Sequence, residues 1–147
     1  MKVSFVALTL LMISPLSIAC SSHSKPTDED LFVQARSVFR ARILEAKVAK
    51  FTNPENLSEV TEVIEAKFEV KEVYKGEPPN SGVVRDLPYG IGNCSLGLVA
   101  GVEYVFFTGE YDLVWIPSGS FGLLNLDGNG MKPRLDELRL LGKRFRY

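Results

Sequence analysis

One histidine, two cysteines and one tryptophan are all that this chain of 147 residues holds of three types on which much chemistry depends. The lone histidine, His23, stands in a polar stretch with no neighbouring group to orient it. It reads as solvent-exposed, because a catalytic imidazole is normally held by a third group. The cysteines, Cys20 and Cys94, form no Cys-x-x-Cys pattern, and no metal site of the protein's own is expected. Charge of one sign is also scarce: 17 Lys and Arg against 18 Asp and Glu leave a formal net charge of -1. That balance supplies no field to gather nucleic acid or an anionic membrane surface. No acid-base pair stands at a recognisable spacing, so neither enzyme activity nor a cofactor is expected.

What is present is ordinary globular composition, 46% hydrophobic and 24% charged. The length suits one domain. The N-terminus differs from the rest. Met1 and Lys2 make a short positive start, residues 3–13 are almost unbroken apolar, and Pro15 precedes Ser17-Ile18-Ala19, with small residues where a signal peptidase reads. The run is shorter than the roughly 20 residues a bilayer span needs, and no later segment is apolar enough to span. Residues 1–19 are therefore expected to be a removable export signal and 20–147 the working domain. Cys20 reads in two ways. Leu16-Ser17-Ile18-Ala19-Cys20 resembles a lipid-attachment site, which would make a membrane-anchored lipoprotein. Plain cleavage would instead leave Cys20 as the first residue of a secreted or periplasmic protein, with Cys94 as its one potential partner.

Patterning then predicts the elements. Thr27-Asp28-Glu29-Asp30 is a helix start, with a capping hydroxyl and acids in the first turn. The helix should cover about 28–36 and bury Leu31, Phe32 and Ala35. A strand follows over 38–48, although 41–50 would tolerate helix. Residues 60–74 alternate, with Ile64, Ala66, Phe68 and Val70 on the inner face against Glu65, Lys67, Glu69 and Lys71. After Glu72 the alternation shifts, which predicts a bulge. A third strand is expected over 82–87, a long glycine-rich loop over 88–101, and a hairpin of 102–109 with 113–116. An edge strand over 121–126 and a turn at 127–130 precede a last helix opened by Pro133, with Leu135, Leu138, Leu141 and Phe145 as its apolar stripe. The basic residues between those leucines read as a solvated face. The whole predicts a mainly β fold: a five-stranded closed barrel of the OB type with two flanking helices.

Two local motifs are weak. Asp127-Gly128-Asn129-Gly130 begins like a calcium loop, but Met131 replaces the third oxygen ligand. Gly90-Ile91-Gly92 lacks the third glycine and the strand-to-helix setting of a dinucleotide loop.

The order of features resembles the netrin-like domain of the tissue inhibitors of metalloproteinases and of bacterial proteins that share it. The resemblance rests on Cys20 just after the signal, on Asp30-Leu31-Phe32-Val33-Gln34-Ala35-Arg36-Ser37-Val38-Phe39-Arg40-Ala41-Arg42, and on Phe68-Glu69-Val70-Lys71-Glu72-Val73-Tyr74-Lys75-Gly76. Cys94, Glu103-Tyr104-Val105-Phe106-Phe107-Thr108-Gly109 and the last helix complete it. It implies a non-enzymatic exported barrel with a Cys20–Cys94 disulfide. It further implies that the amine and carbonyl of Cys20 chelate the catalytic zinc of a partner metalloprotease, with Ser21 facing the specificity pocket and Ile91, Gly92, Asn93 and Ser95 alongside. Ser22 stands where the family has a second leader cysteine, and the region of Ser118 lacks that cysteine's partner. Netrin-like domains also serve as general binding modules, so a protein-binding module or cell-envelope lipoprotein without inhibitory activity is the alternative.

Overall fold

The computed structural model describes residues 26–89, 94–124 and 131–145, so the expected signal at 1–19 and the turn at 127–130 lie outside the described residues. Helix α1 spans Asp28–Gln34. Thr27 caps it: its hydroxyl accepts from the Asp30 amide (3.1 Å), while the Asp30 carboxylate accepts from the Thr27 amide (3.0 Å). The helix stops short of 36. Lys75 Nζ donates to the carbonyls of Phe32, Val33 and Ala35 at 2.7, 2.8 and 2.7 Å, satisfying its C-terminus, and the Arg36 amide already binds the Thr108 carbonyl.

Five antiparallel strands follow: β1 (Ser37–Thr52), β2 (Val60–Lys75), β3 (Ser81–Asp86), β4 (Glu103–Thr108) and β5 (Phe121–Gly122). Their order in the sheet is β3-β2-β1-β4-β5. Residues 41–50 are thus strand, and β1 and β2 form a long ribbon. The β1–β2 register shifts three times, and one shift leaves Tyr74 unmatched between the Val38–Lys75 and Phe39–Val73 pairs. That is the bulge the sequence after Glu72 predicts, and such insertions increase strand twist.

The inner face of β2 is as expected for Ile64, Ala66 and Phe68, all buried, whereas Val70 is half-buried. Lys67 and Glu69 are exposed and Glu65 is half-buried. Phe39, Ala41, Ile43, Val84, Tyr104 and Phe106 join the same cluster. Tyr104 and Phe106 stack with ring centroids 5.7 Å apart. The other face of the sheet carries Val38, Val105 and Phe107, packed on Phe32 of α1 and on Leu135, Leu138 and Leu141. Strand β4 is therefore buried on both faces.

Helix α2 spans Lys132–Arg144 with its predicted leucine stripe buried, and Phe145 caps it beside the Phe32 ring. Its basic residues are not simply a solvated face. Arg134 makes two hydrogen bonds to Asp28, at 2.6 and 2.7 Å, Arg139 binds Glu72 and Arg144 binds Glu29. The helix backbone also passes close to β2 at Gly142, where a Cβ would collide with the Tyr74 carbonyl oxygen.

Two expectations are corrected. The hairpin of 102–109 with 113–116 does not form: Glu110–Asp112 is a 3-10 turn in which Tyr111 and Asp112 take positive φ, sending the chain away from β4. The free side of β4 pairs with β5 instead. The second correction is that the sheet is open, not a closed barrel. Arg85 of β3 meets Leu113 in one isolated parallel bridge, with the Val114 amide donating to the Arg85 carbonyl at 2.8 Å. Ile116–Ser118 then turns as a 3-10 helix containing Pro117, and Gly119 takes a left-handed conformation. The next amide of such a ladder, that of Ile116, donates instead to the Cys94 carbonyl at 3.1 Å, so the bridge does not grow into a strand pair.

Candidate functional site

The expected contact residues fall on both sides of the described boundary. Cys20, Ser21, Ile91, Gly92 and Asn93 lie outside the described residues, and with Cys20 so does the expected Cys20–Cys94 bridge. Cys94 and Ser95 are described, and both belong to a closely held segment.

That segment is organised by Asp86, the last residue of β3, which is fully buried. One carboxylate oxygen accepts from the Leu87 amide at 2.8 Å. The other accepts from Ser95 Oγ (2.8 Å), the Leu96 amide (2.8 Å) and the Gly97 amide (3.1 Å). Burial pushes the Asp86 carboxyl above the ordinary range, and the four hydrogen bonds pull it back only in part. Two tyrosines continue the clamp. Tyr104 donates to the Gly97 carbonyl and accepts from the Val99 amide, at 2.8 and 3.0 Å, while Tyr89 donates to the Leu98 carbonyl. Burial raises both phenols.

Cys94 has positive φ (58°), and its carbonyl accepts from the Ile116 amide at 3.1 Å. This bond sets the segment beside two exposed apolar side chains, Trp115 (46% exposed) and Ile116 (53%). The backbone under Trp115 is fixed. Ser118 Oγ donates to the Trp115 carbonyl at 2.7 Å and lies 3.1 Å from Ser120 Oγ, which accepts from the Phe107 amide at 2.9 Å. The tryptophan is thus tied to buried β4 through two hydroxyls.

The far end of the β1–β2 ribbon closes down on the same flank. Arg85 lies over the Phe51 ring, 5.2 Å from its centroid, and donates to the Tyr111 carbonyl at 3.1 Å. Tyr111 in turn donates to Glu55 at 3.2 Å, and Arg36 pairs with Asp112.

Chemically the region offers apolar and hydrogen-bonding contact on a rigid base. Among the described residues no group of three or more His, Cys, Asp or Glu is placed to hold a metal ion, and no helix is long and apolar enough to cross a membrane. Sequence reasoning missed Asp86, Tyr104 and Trp115 as parts of the site. The available signals were an acid closing an apolar strand and the chain's single tryptophan. No protein-family model matches the chain, and no curated protein matches it in sequence.

Proposed function

We propose that this is an exported, non-enzymatic binding protein that engages a protein partner through the Cys94–Ser95 segment and the neighbouring Trp115 and Ile116. The partner is a zinc metalloprotease, and the N-terminal Cys20, bridged to Cys94, supplies the warhead. Its amine nitrogen and carbonyl oxygen would close a five-membered chelate on the protease's zinc, fill the open position and displace the catalytic water. Ser21 would follow into the specificity pocket.

The observation that carries this reading is the Cys94–Ile116 hydrogen bond. It joins the residue to which Cys20 would be tied to Ile116, the residue that directly follows the exposed Trp115 on a fixed backbone. Aromatic anchors of that kind dominate protein interfaces. A base held by Asp86, Tyr89 and Tyr104 lowers the ordering cost of binding.

The test uses the processed, oxidised protein against a broad panel of zinc proteases. Inhibition should fall by orders of magnitude when one Ala is added ahead of Cys20, since the amine then leaves the chelate while the domain is unchanged. A protein that inhibits nothing in the panel refutes the inhibitor reading. The second reading, favoured by Leu16-Ser17-Ile18-Ala19-Cys20, is a lipoprotein that binds partners at the cell envelope. An acylated amine cannot chelate, so the intact mass of the mature protein separates the two.

A further inference from the structure

We infer that the outer stretch of the β1–β2 ribbon is where two copies of this chain meet, with Lys50 of each paired to Glu62 of the other across a two-fold axis. The inference does not depend on the binding reading, since it uses neither Cys94 nor Trp115.

Register assigns the two faces of the ribbon. The pairs Lys47–Glu65, Ala49–Val63 and Phe51–Thr61 share one face, and the chain itself covers it. Arg85 lies over the Phe51 ring and pairs with Glu65, the Tyr111 ring centroid is 6.3 Å from that of Phe51, and Val63 is buried. The pairs Val48–Ile64, Lys50–Glu62 and Thr52–Val60 share the other face, which continues the inner face of β2. Ile64 belongs to the core, but beyond it the face is bare. Val48 is 65% exposed and Val60 55%, and Lys50 and Glu62 are exposed in the row between them.

The charges say what covers that face. Every other charged side chain of the two strands is engaged, in ion pairs such as Glu45–Lys67 and Glu69–Lys71 or, for Arg42 and Lys75, on backbone carbonyls. Lys50 and Glu62 stand opposite each other in register and, among the described residues, form no ion pair. One cation and one anion between apolar rows make a patch that is its own complement. A two-fold axis along the ribbon lays β1 of one copy over β2 of the other, so both charges meet their opposites and the valine rows stack. A partner of one sign would leave one of the two charges facing its like. The net charge of -1 adds little repulsion between copies. A patch of so few side chains falls below the standard interface of about 800 Å² per partner, which sets the association at the weak, transient end.

Sedimentation equilibrium of the mature protein tests this with nothing else present. The weight-average mass should climb from one chain toward two between about 5 and about 500 μM. Lys50→Glu and Glu62→Lys, which each set like charges against one another, and Val48→Lys, which sets a cation in the apolar row, should each weaken association by about tenfold. Melting temperatures should barely move at these exposed positions. An equimolar mixture of Lys50→Glu with Glu62→Lys should recover association, since an acidic face then meets a basic one. A wild type that stays monomeric, a Val48→Lys variant that associates as before, or a mixture no tighter than its parts overturns the inference. Because no protease is present, failure here leaves the binding reading standing, and failure to inhibit leaves the dimer standing.

Discussion

Arg139 of α2 grips Glu72 of β2 with two hydrogen bonds, 2.7 Å from Nε and 2.9 Å from Nη2, and so fixes the helix across the bulged end of the ribbon. The Arg139 hydrogen bond is the main cause of a Glu72 carboxyl held below its ordinary range. The folded state therefore binds this proton less tightly than the unfolded chain. The stability it contributes is present above the ordinary glutamate value, near pH 4.3, and is lost as pH falls through the lower folded value. Glu72→Gln should cost about 1 kcal/mol at neutral pH, the scale of a partly exposed pair. The gap to wild type in urea melts should close below about pH 4. A gap independent of pH would show that the charge is not what matters.

Gly142→Ala should destabilise the protein although alanine is the better helix former. The propensity gain is at most about 1 kcal/mol, and it is opposed by a clash with backbone, the Tyr74 carbonyl, which cannot rotate away. A net loss of about 1–3 kcal/mol is expected from overpacking. Chemical denaturation showing a gain would mean that α2 can retreat from β2 freely.

Trp115→Ala separates contact from stability. The side chain is nearly half exposed, so the melting temperature should barely change, within about 0.5 kcal/mol. If the protein is the protease inhibitor proposed above, its inhibition should weaken by about 2 kcal/mol, roughly thirtyfold, as for an interface anchor. Unchanged inhibition would place the partner elsewhere on the molecule.

Reduction of the mature protein should lower its melting temperature if Cys20 and Cys94 are bridged. Closing a loop of this length is worth about 4 kcal/mol, less any strain. Titration of thiols in the native protein isolated under non-reducing conditions checks it directly: two reactive thiols per chain would exclude the bridge.

Much of the framework is legible where one physical signal dominates. The alternation from Ile64 to Phe68 marks which face of β2 is buried, and the leucine spacing marks the buried stripe of α2. Strand β4 is legible as a strand but not as a two-sided one. Tyr104 and Phe106 face one core, Val105 and Phe107 the other, and an unbroken apolar run does not say which partners cover it. The false hairpin at 113–116 has the same source: apolar residues there resemble a strand, whereas left-handed Tyr111 and Asp112 redirect the chain. Asp86 is hidden because its donors, chiefly backbone amides as far as ten and eleven residues away, leave no side-chain pattern. The pairing of the α2 arginines is hidden for a similar reason, since Asp28 lies 106 residues from Arg134 along the chain.

The pairing of β1 with β4 has a consequence for how the molecule comes together. Ser37 and Thr108 share a hydrogen bond across 71 residues, and the six pairs from Ser37–Thr108 to Arg42–Glu103 close that long loop. The ribbon of β1 and β2 can form early from local sequence, but one edge at Val38, Phe39 and Ala41 then waits for a strand made much later. Long-range pairings of this kind slow assembly, and a waiting apolar edge invites a second chain to fill it. A chain ending before Glu103 should therefore self-associate, and in the full chain that edge stays open to a second chain until β4 arrives.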